Sequence, residues 1–467
     1  MLYTTTRNGN VMKKFSEIVC SSNAQCGGLY IPSENPNFNY QDFINLDYAD
    51  IATKIISIFT DIPKDDIGSI VKKSLKTFRT SNVFELKKLE NTLYVAELFY
   101  GPTLSFKDYP MQFVGNIIDY ILEKNNKTLN ILTATSGDTG SAAIKSFENK
   151  DNVNIIVLHP FENVSDFQRK QMTTSKGKNV LNIAVEGTFD DCQKIVKNII
   201  NSQEGINHNI STVNSINWAR IMMQFVYYIK ILQDLDFKQT NFFVPTGNFG
   251  NVFAAYYLKK YGFSMMNQLF VCNNQNNAIH KFYQTGLLVN KETIQTITPA
   301  IDIGIPSNFE RMLFLESNCD HEITSYIYQT LNQNQELQFK FLKNNLFDNF
   351  RTNFSTASIS DGKTMQMIKK IYTDYNYIID PHTAVAFAGF DLIQQNLQSN
   401  QNNVIVSTAH YCKFINTVSK TINSNANFDV SEISKISHIQ EKYTKLNVEN
   451  VAKYVIDFFT RNFILST

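Results

Sequence analysis

An α/β architecture, with mostly parallel sheets covered by helices, is predicted for this 467-residue sequence by three observations. Strand-like and helix-like segments alternate from about residue 129 to 285, the pattern of parallel strands joined by crossover helices. Glycine-rich turns stand at strand-to-helix junctions, as at Gly137 and Gly247. Ahead of both, residues 38–90 carry helical rather than strand periodicity.

Taken in chain order, Phe43-Ile-Asn-Leu46, Ile51 to Phe59 and Ile70 to Leu75 space their apolar residues for one helix face, so a mainly helical N-terminal domain is expected over 1–90. Residues 91–430 then form the core. Within it, residues 129–133 read as a strand, Ser141 to Phe147 as a helix, Val153 to Leu158 as a strand and Phe189 to Ile200 as a helix. Asn217 to Leu235 reads as a long helix, Phe242 to Val244 as a strand, Val252 to Tyr261 as a helix, Leu269 to Cys272 as a strand and Ala278 to Thr285 as a helix. A stretch rich in Asn, Gln, Phe and Leu at about 320–360 predicts a helical insertion, and 431–467 a C-terminal helical segment.

With 43% hydrophobic residues the chain can build a real interior, and a net charge of +1 gives no reason to expect nucleic acid or an acidic membrane as partner. No uninterrupted apolar stretch is long enough for a bilayer, and Met1-Leu-Tyr-Thr-Thr lacks the apolar run of a signal peptide. The six cysteines show neither Cys-x-x-Cys nor zinc spacing with histidine, so no disulfide framework and no metal site is expected. The expectation is a reduced, cytoplasmic enzyme.

The chemistry centres on Lys107, set between Phe106 and Asp108 after a Gly-Pro turn. A partly desolvated lysine loses basicity and becomes a nucleophile toward aldehydes, the property that lets lysines carry pyridoxal phosphate as a Schiff base. Taken alone the segment suits a surface lysine better, because lysines are mostly exposed. Three further segments supply what that cofactor needs. Val244-Pro-Thr-Gly-Asn-Phe-Gly-Asn251 runs from strand to helix start, where Gly247 and Gly250 let backbone N–H groups converge on a phosphate. An ordinary β-to-α turn is the other reading. Thr133 to Gly140 has the same grammar with hydroxyls added: Thr135, Ser136 and Thr139 suit an anionic substrate, while Asp138 orients a partner or caps the helix. The strand Val404 to Ser407 ends in Thr408, whose hydroxyl is placed to meet a ligand ring nitrogen or simply to satisfy a turn.

These pieces, in this order, resemble threonine synthase, a pyridoxal-phosphate enzyme family of the tryptophan-synthase-β-like fold, fold type II. The resemblance rests on Leu98-Phe-Tyr-Gly-Pro-Thr-Leu-Ser-Phe-Lys-Asp108, Thr133-Ala-Thr-Ser-Gly-Asp-Thr-Gly140, Val185-Glu-Gly-Thr-Phe-Asp-Asp-Cys192, Asn214-Ser-Ile-Asn-Trp-Ala-Arg220, Pro245-Thr-Gly-Asn-Phe-Gly-Asn251 and Ser407-Thr-Ala-His410. Gly27 to Pro32, Ile305 to Arg311 and Asp380 to Val385 match as well, so the likeness covers nearly the whole chain. Two departures are local. Tyr100 stands where the family usually has His, and Tyr411-Cys412 where it has Pro-Ala, which leaves the loop after Thr408 without a φ-fixing proline.

The resemblance implies two open α/β subdomains around a cleft, and conversion of O-phospho-L-homoserine and water to L-threonine and phosphate with pyridoxal 5′-phosphate as cofactor. It implies Lys107 as cofactor anchor and acid-base group. Phe106, Asp138, Gly247, Asn248, Phe249, Gly250, Asn251 and Thr408 would surround the cofactor. Thr135, Ser136, Thr139, Asn214, Ser215, Arg220 and Asn248 would hold the substrate. A monomer or homodimer is expected. For His382 and His410 a packed, loop-ordering role fits at least as well as a catalytic one, and neither is counted among the catalytic residues. The alternatives are a serine or threonine dehydratase of the same fold and a silent homologue that only binds.

Overall fold

In the computed structural model, residues 1–464 are described apart from 22–23, 163, 343–344 and 423–425, together with the side chains of 341 and 462–464. Of the expected insertion and C-terminal segment, residues 343–344 and 465–467 therefore lie outside the described residues.

Among the described residues sixteen strands, numbered in chain order, fall into four sheets. The larger of the two central sheets runs β14 (Phe354–Ser358), β11 (Met266–Asn273), β10 (Thr240–Pro245), β15 (Asn402–Ser407), β5 (Leu93–Glu97), β4 (Glu85–Lys88). All its pairs are parallel except β4 on β5. β10 and β15 are buried along their whole length, as strands covered on both faces must be. The smaller central sheet is wholly parallel and runs β16 (Thr444–Asn447), β8 (Val180–Glu186), β7 (Val153–Pro160), β6 (Leu129–Ala134), β9 (Ile210–Ser211). The carboxyl ends of β6, β9, β10 and β15 lead into one cleft, where ligands of open α/β sheets bind.

The helix Trp218–Asp234 is buried along most of its length and packs against Tyr48–Phe59, Asp108–Asn125 and Gly250–Lys260. Trp218 meets Tyr3, Phe59 and Tyr257 at ring distances of 6.2, 5.8 and 5.4 Å, and the Tyr3 hydroxyl donates to the Phe59 carbonyl at 2.6 Å. This aromatic knot fixes the N-terminal residues against the helix whose first turn carries Arg220.

Three segments expected to be helical also contain strands. In the N-terminal unit β1 (Leu2–Thr5) pairs antiparallel with β2 (Asn8–Lys14) and β3 (Tyr30–Pro32), beside the helices Tyr48–Phe59 and Lys64–Leu75. The stretch 320–360 contains helices but also β13 (Glu336–Gln338), which pairs with β12 (Leu287–Val289), and β14 on the edge of the larger sheet. The segment 431–467 includes β16, which closes the edge of the smaller sheet. These strands are three to seven residues long and several are polar, so only pairing with distant partners defines them.

The departures at Tyr411 and Cys412 have a structural use. The Tyr411 hydroxyl accepts from the Asp429 N–H at 2.8 Å, and Cys412 is buried with Leu104 and Phe167, against which Ile433 and Ile436 pack. Both residues dock the segment that leads to β16.

Candidate active site

All fifteen residues singled out from the sequence line one cavity of about 210 Å³ between the two central sheets. Lys107 immediately precedes the helix Asp108–Asn125. Its position is set by antiparallel contacts with the segment after β15: the Phe106 N–H donates to the Thr408 carbonyl at 2.8 Å and the His410 N–H to Leu104 at 3.0 Å. Asp108 is spent on the turn before it, accepting from the Thr103 N–H at 2.8 Å and hydroxyl at 2.7 Å. The Lys107 amine is held below the usual lysine range by burial, against the opposing pull of Asp138, whose Oδ2 lies 3.4 Å away. Phe106 sets its ring 5.8 Å from that amine.

Asp138 does not cap its helix, although capping was one reading of its sequence position. Its carboxylate instead accepts from Gln168 Nε2 at 2.7 Å and pairs with Lys107 and, at 3.2 Å, with Lys413. Burial opposes ionisation here, but Lys413 and then Lys107 overcome it and hold the carboxyl far below the usual range. The Thr135 hydroxyl oxygen accepts the N–H groups of Gly137 and Gly140, both at 2.9 Å, so it shapes the loop and keeps its own O–H to donate. Ser136 and Thr139 are half-exposed on the cavity wall.

In the loop after β10 the left-handed residue is Phe249, with φ of 63°, and neither glycine. Phe249 holds this costly conformation because its ring is wedged between Phe309 and Phe354, each 5.4 Å away. Gly247 serves close approach instead: a Cβ there would stand 3.0 Å from the Ala300 carbonyl oxygen and the Ile301 Cα. Gly250 opens the helix Gly250–Lys260, so the N–H groups at the helix start face the cavity end of the loop. Asn251 accepts from the Tyr227 and Tyr228 hydroxyls at 3.0 and 2.6 Å, while its buried Nδ2 has no partner among the described residues. The Asn248 carbonyl accepts from the Asn308 side chain at 3.1 Å, and the same amide donates to the Ser215 carbonyl at 3.1 Å, tying the two loops together.

The Asn214 side-chain oxygen accepts from the Thr212 hydroxyl at 2.9 Å. Arg220, 4% exposed, gives Nη1 to the Val213 carbonyl at 2.7 Å and leaves Nε without a partner among the described residues. Burial alone pushes its guanidinium down to about 10. Thr408 is 6% exposed at the end of β15 and lines the same cavity.

Sequence reasoning left several neighbours out of the site. Gln193, Gln224 and Ser307 line the cavity, and so does His382, which pairs with Asp380 at 2.9 Å and accepts from the Ala300 N–H at 3.2 Å. Its signal was the Asp-Pro-His-Thr motif. His410 faces away from this cavity, toward Phe99 and Tyr411, and burial pushes its imidazole down to about 4. Among the described residues no cluster of ligands could hold a metal ion.

The residues present fit pyridoxal phosphate. A buried amine of lowered basicity stands across from a loop of N–H donors at a helix start, and the unpartnered Asn251 Nδ2 and Arg220 Nε are buried donors with no acceptor of their own.

Residues 77–326 match the family of pyridoxal-phosphate dependent enzymes, and residues 2–75 match the threonine synthase N terminus. A threonine synthase of Saccharomyces cerevisiae is 34% identical over 487 residues, covering 94% of each chain, and one of Pseudomonas aeruginosa is 35% identical, covering 90% of each. A crystal structure of PLP-bound threonine synthase from Brucella melitensis superposes with a TM-score of 0.91 at 33% identity, covering 98% of this chain and 99% of that one. The fold is therefore fold type II and the cofactor pyridoxal phosphate. With both family matches and near-complete alignments in hand, the chain belongs to the threonine synthase family of pyridoxal-phosphate dependent enzymes.

Proposed function

We infer that this cleft converts O-phospho-L-homoserine and water to L-threonine and inorganic phosphate. The observation that carries the reading is Arg220, a fully buried guanidinium that lines the cavity with no acidic partner among the described residues. With only the Val213 carbonyl accepting from it among the described residues, the guanidinium keeps donors free for an incoming anion, and a substrate phosphate is the anion its fork matches. A dehydratase acting on unphosphorylated serine or threonine has no use for it.

Pyridoxal phosphate supplies a carbonyl carbon that joins amines and a ring that draws electron density from the substrate Cα. The loop Gly247, Asn248, Phe249, Gly250 and Asn251 would hold its phosphate, Phe106 its flank, Asp138 the side of its 3′-oxygen and Thr408 its ring nitrogen. A neutral hydroxyl at Thr408, rather than a carboxylate, would leave the ring less electron-withdrawing and so discourage transamination. Lys107, kept low in basicity by burial, would move one proton at a time, releasing the one from Cα before it takes one from Cβ and returning protons to Cγ and Cα as phosphate leaves and water adds. Asn214, Ser215 and Arg220 hold the phosphate at Cγ and take up its charge as it leaves, while Thr135, Ser136 and Thr139 fix the substrate carboxylate and Asn248 stands between the two phosphates. Water then adds at Cβ.

The six free cysteines suit a cytoplasmic location, and we expect a monomer or homodimer. Purified protein with added pyridoxal phosphate should release phosphate from O-phosphohomoserine in step with threonine. Turnover of serine or threonine in its place would move the reading to a dehydratase. Borohydride reduction should attach the cofactor to the Lys107 peptide, and attachment to any other lysine would overturn the site assignment.

A further inference from the structure

Lys413 is buried beneath the cleft and is not among its lining residues. Its ammonium meets three oxygens: the Thr103 carbonyl at 2.7 Å, Gln171 Oε1 at 2.6 Å and Asp138 Oδ1 at 3.2 Å. Three acceptors match the three N–H bonds of a protonated lysine, and a neutral amine would leave one of them unserved. Lys107 differs. Among the described residues its one oxygen neighbour of this kind is Asp138 Oδ2, at 3.4 Å.

We propose that Lys413 is a positioning residue that serves as the permanent countercharge of Asp138, so that Lys107 can give up its proton without stranding a buried carboxylate. The proposal rests on Lys107 being the reacting amine. If Asp138 had only Lys107 to pair with, every deprotonation of Lys107 would leave an uncompensated anion in the interior, and the pair would lock the amine in its charged, unreactive form. Lys413 removes that lock, and Gln168 Nε2 adds a neutral donor at 2.7 Å to the same carboxylate. The groups facing Lys107 are Asp138 on the helix Asp138–Phe147, Arg220 on Trp218–Asp234 and Lys413 on the turn after β15, with His382 near Asp138 from a fourth element. Two cations thus oppose the Lys107 charge and one anion supports it. Among the electrostatic influences on Asp138, Lys413 outranks Lys107, in keeping with this assignment.

The test reads Lys107 directly, in full-length protein freed of cofactor, by competitive acetylation over a pH series with peptide mass spectrometry. Lys413→Gln keeps an amide donor for the same oxygens and removes only the charge. It should raise the Lys107 labelling midpoint by about one pH unit, a tenfold smaller neutral fraction at a given pH. Lys413→Arg retains the charge and should leave the midpoint close to wild type. An unmoved midpoint in Lys413→Gln, or an equal shift in Lys413→Arg, overturns the proposal. Should Lys413→Gln not fold, Lys413→Arg still decides, because a Lys107 midpoint raised although the charge is kept overturns the idea. Recovery of reduced cofactor on another lysine would instead overturn the prior assignment of Lys107, so the two failures are distinct.

Discussion

The cleft and the wall behind it each hold a buried arginine, and the two are used in opposite ways. In the wall, Arg311 gives Nε and Nη2 to the Tyr30 carbonyl at 3.0 and 2.7 Å, Nη2 also to Ile216 at 2.5 Å, and Nη1 to Asn308 Oδ1 at 2.5 Å. It lies 5.6 Å from the Trp218 ring. In the cleft, Arg220 makes one hydrogen bond, to Val213, and leaves Nε open. Burial lowers both guanidinium groups, to about 9 and about 10. The difference teaches that burial alone does not mark a ligand site. Arg311 has spent its donors on three separate segments, β3 at Tyr30 and the turns at Ile216 and Asn308, whereas Arg220 holds them in reserve.

Removing Arg311 should therefore have the largest effect on stability. Arg311→Met is expected to cost about 3–5 kcal/mol in urea unfolding, since it strands the carbonyls of Tyr30 and Ile216. Arg220→Met should leave stability unchanged or raise it, because no partner is abandoned beyond Val213. Equal losses in the two variants would erase the distinction.

Kinetics should show the reverse ranking. Arg220→Ala should lower kcat/KM for O-phosphohomoserine by roughly 2–5 kcal/mol in transition-state terms, while affinity for pyridoxal phosphate survives. A parallel loss of cofactor affinity would assign Arg220 to the cofactor or the fold.

A third buried group sharpens the comparison by staying neutral. His410 is pushed down to about 4 by burial, against about 6.5 in an unfolded chain. Between these values the unfolded state binds the extra proton, so the contribution of His410 is fully present above the unfolded value and fades as pH falls toward 4. Stability should drop by about 1.4 kcal/mol per pH unit from this residue within that window. His410→Gln should remove that slope, which denaturation at two pH values inside the window would reveal. An unchanged slope would mean that the imidazole titrates normally.

The smallest expected effect tests the docking of the C-terminal segment. Tyr411→Phe loses the bond from the Asp429 N–H and should cost about 1 kcal/mol, with KM unaltered. A changed KM would tie that segment to the cleft.

Much of the site was legible in the sequence because its residues come in short local runs whose chemistry is written in adjacent letters. Ser-Phe-Lys-Asp, Thr-Ser-Gly-Asp-Thr-Gly and Gly-Asn-Phe-Gly-Asn each deliver a lysine, a set of hydroxyls or a turn of N–H groups to one strand end. What each residue does within its run was less legible. Glycine was expected to supply the curl after β10, yet Phe249 takes the left-handed turn because Phe309 and Phe354 pin its ring from elsewhere in the chain. Asp138 was read as an orienting or capping group, and its helix start gave no sign that Lys413 would be its partner.

The sequence by itself determined the order of strands and helices through the core, since apolar periodicity and glycine punctuation are properties of neighbouring residues. It also determined which side chains could carry the chemistry. Tertiary structure alone decided how those side chains are charged and which are free. Arg220 and Arg311 are the same letter in two apolar helix starts, and only the carbonyls that reach Arg311 from Tyr30 and Ile216 separate scaffold from site. Short polar strands such as β16 were settled the same way, by a partner strand supplying hydrogen bonds that no local pattern encodes.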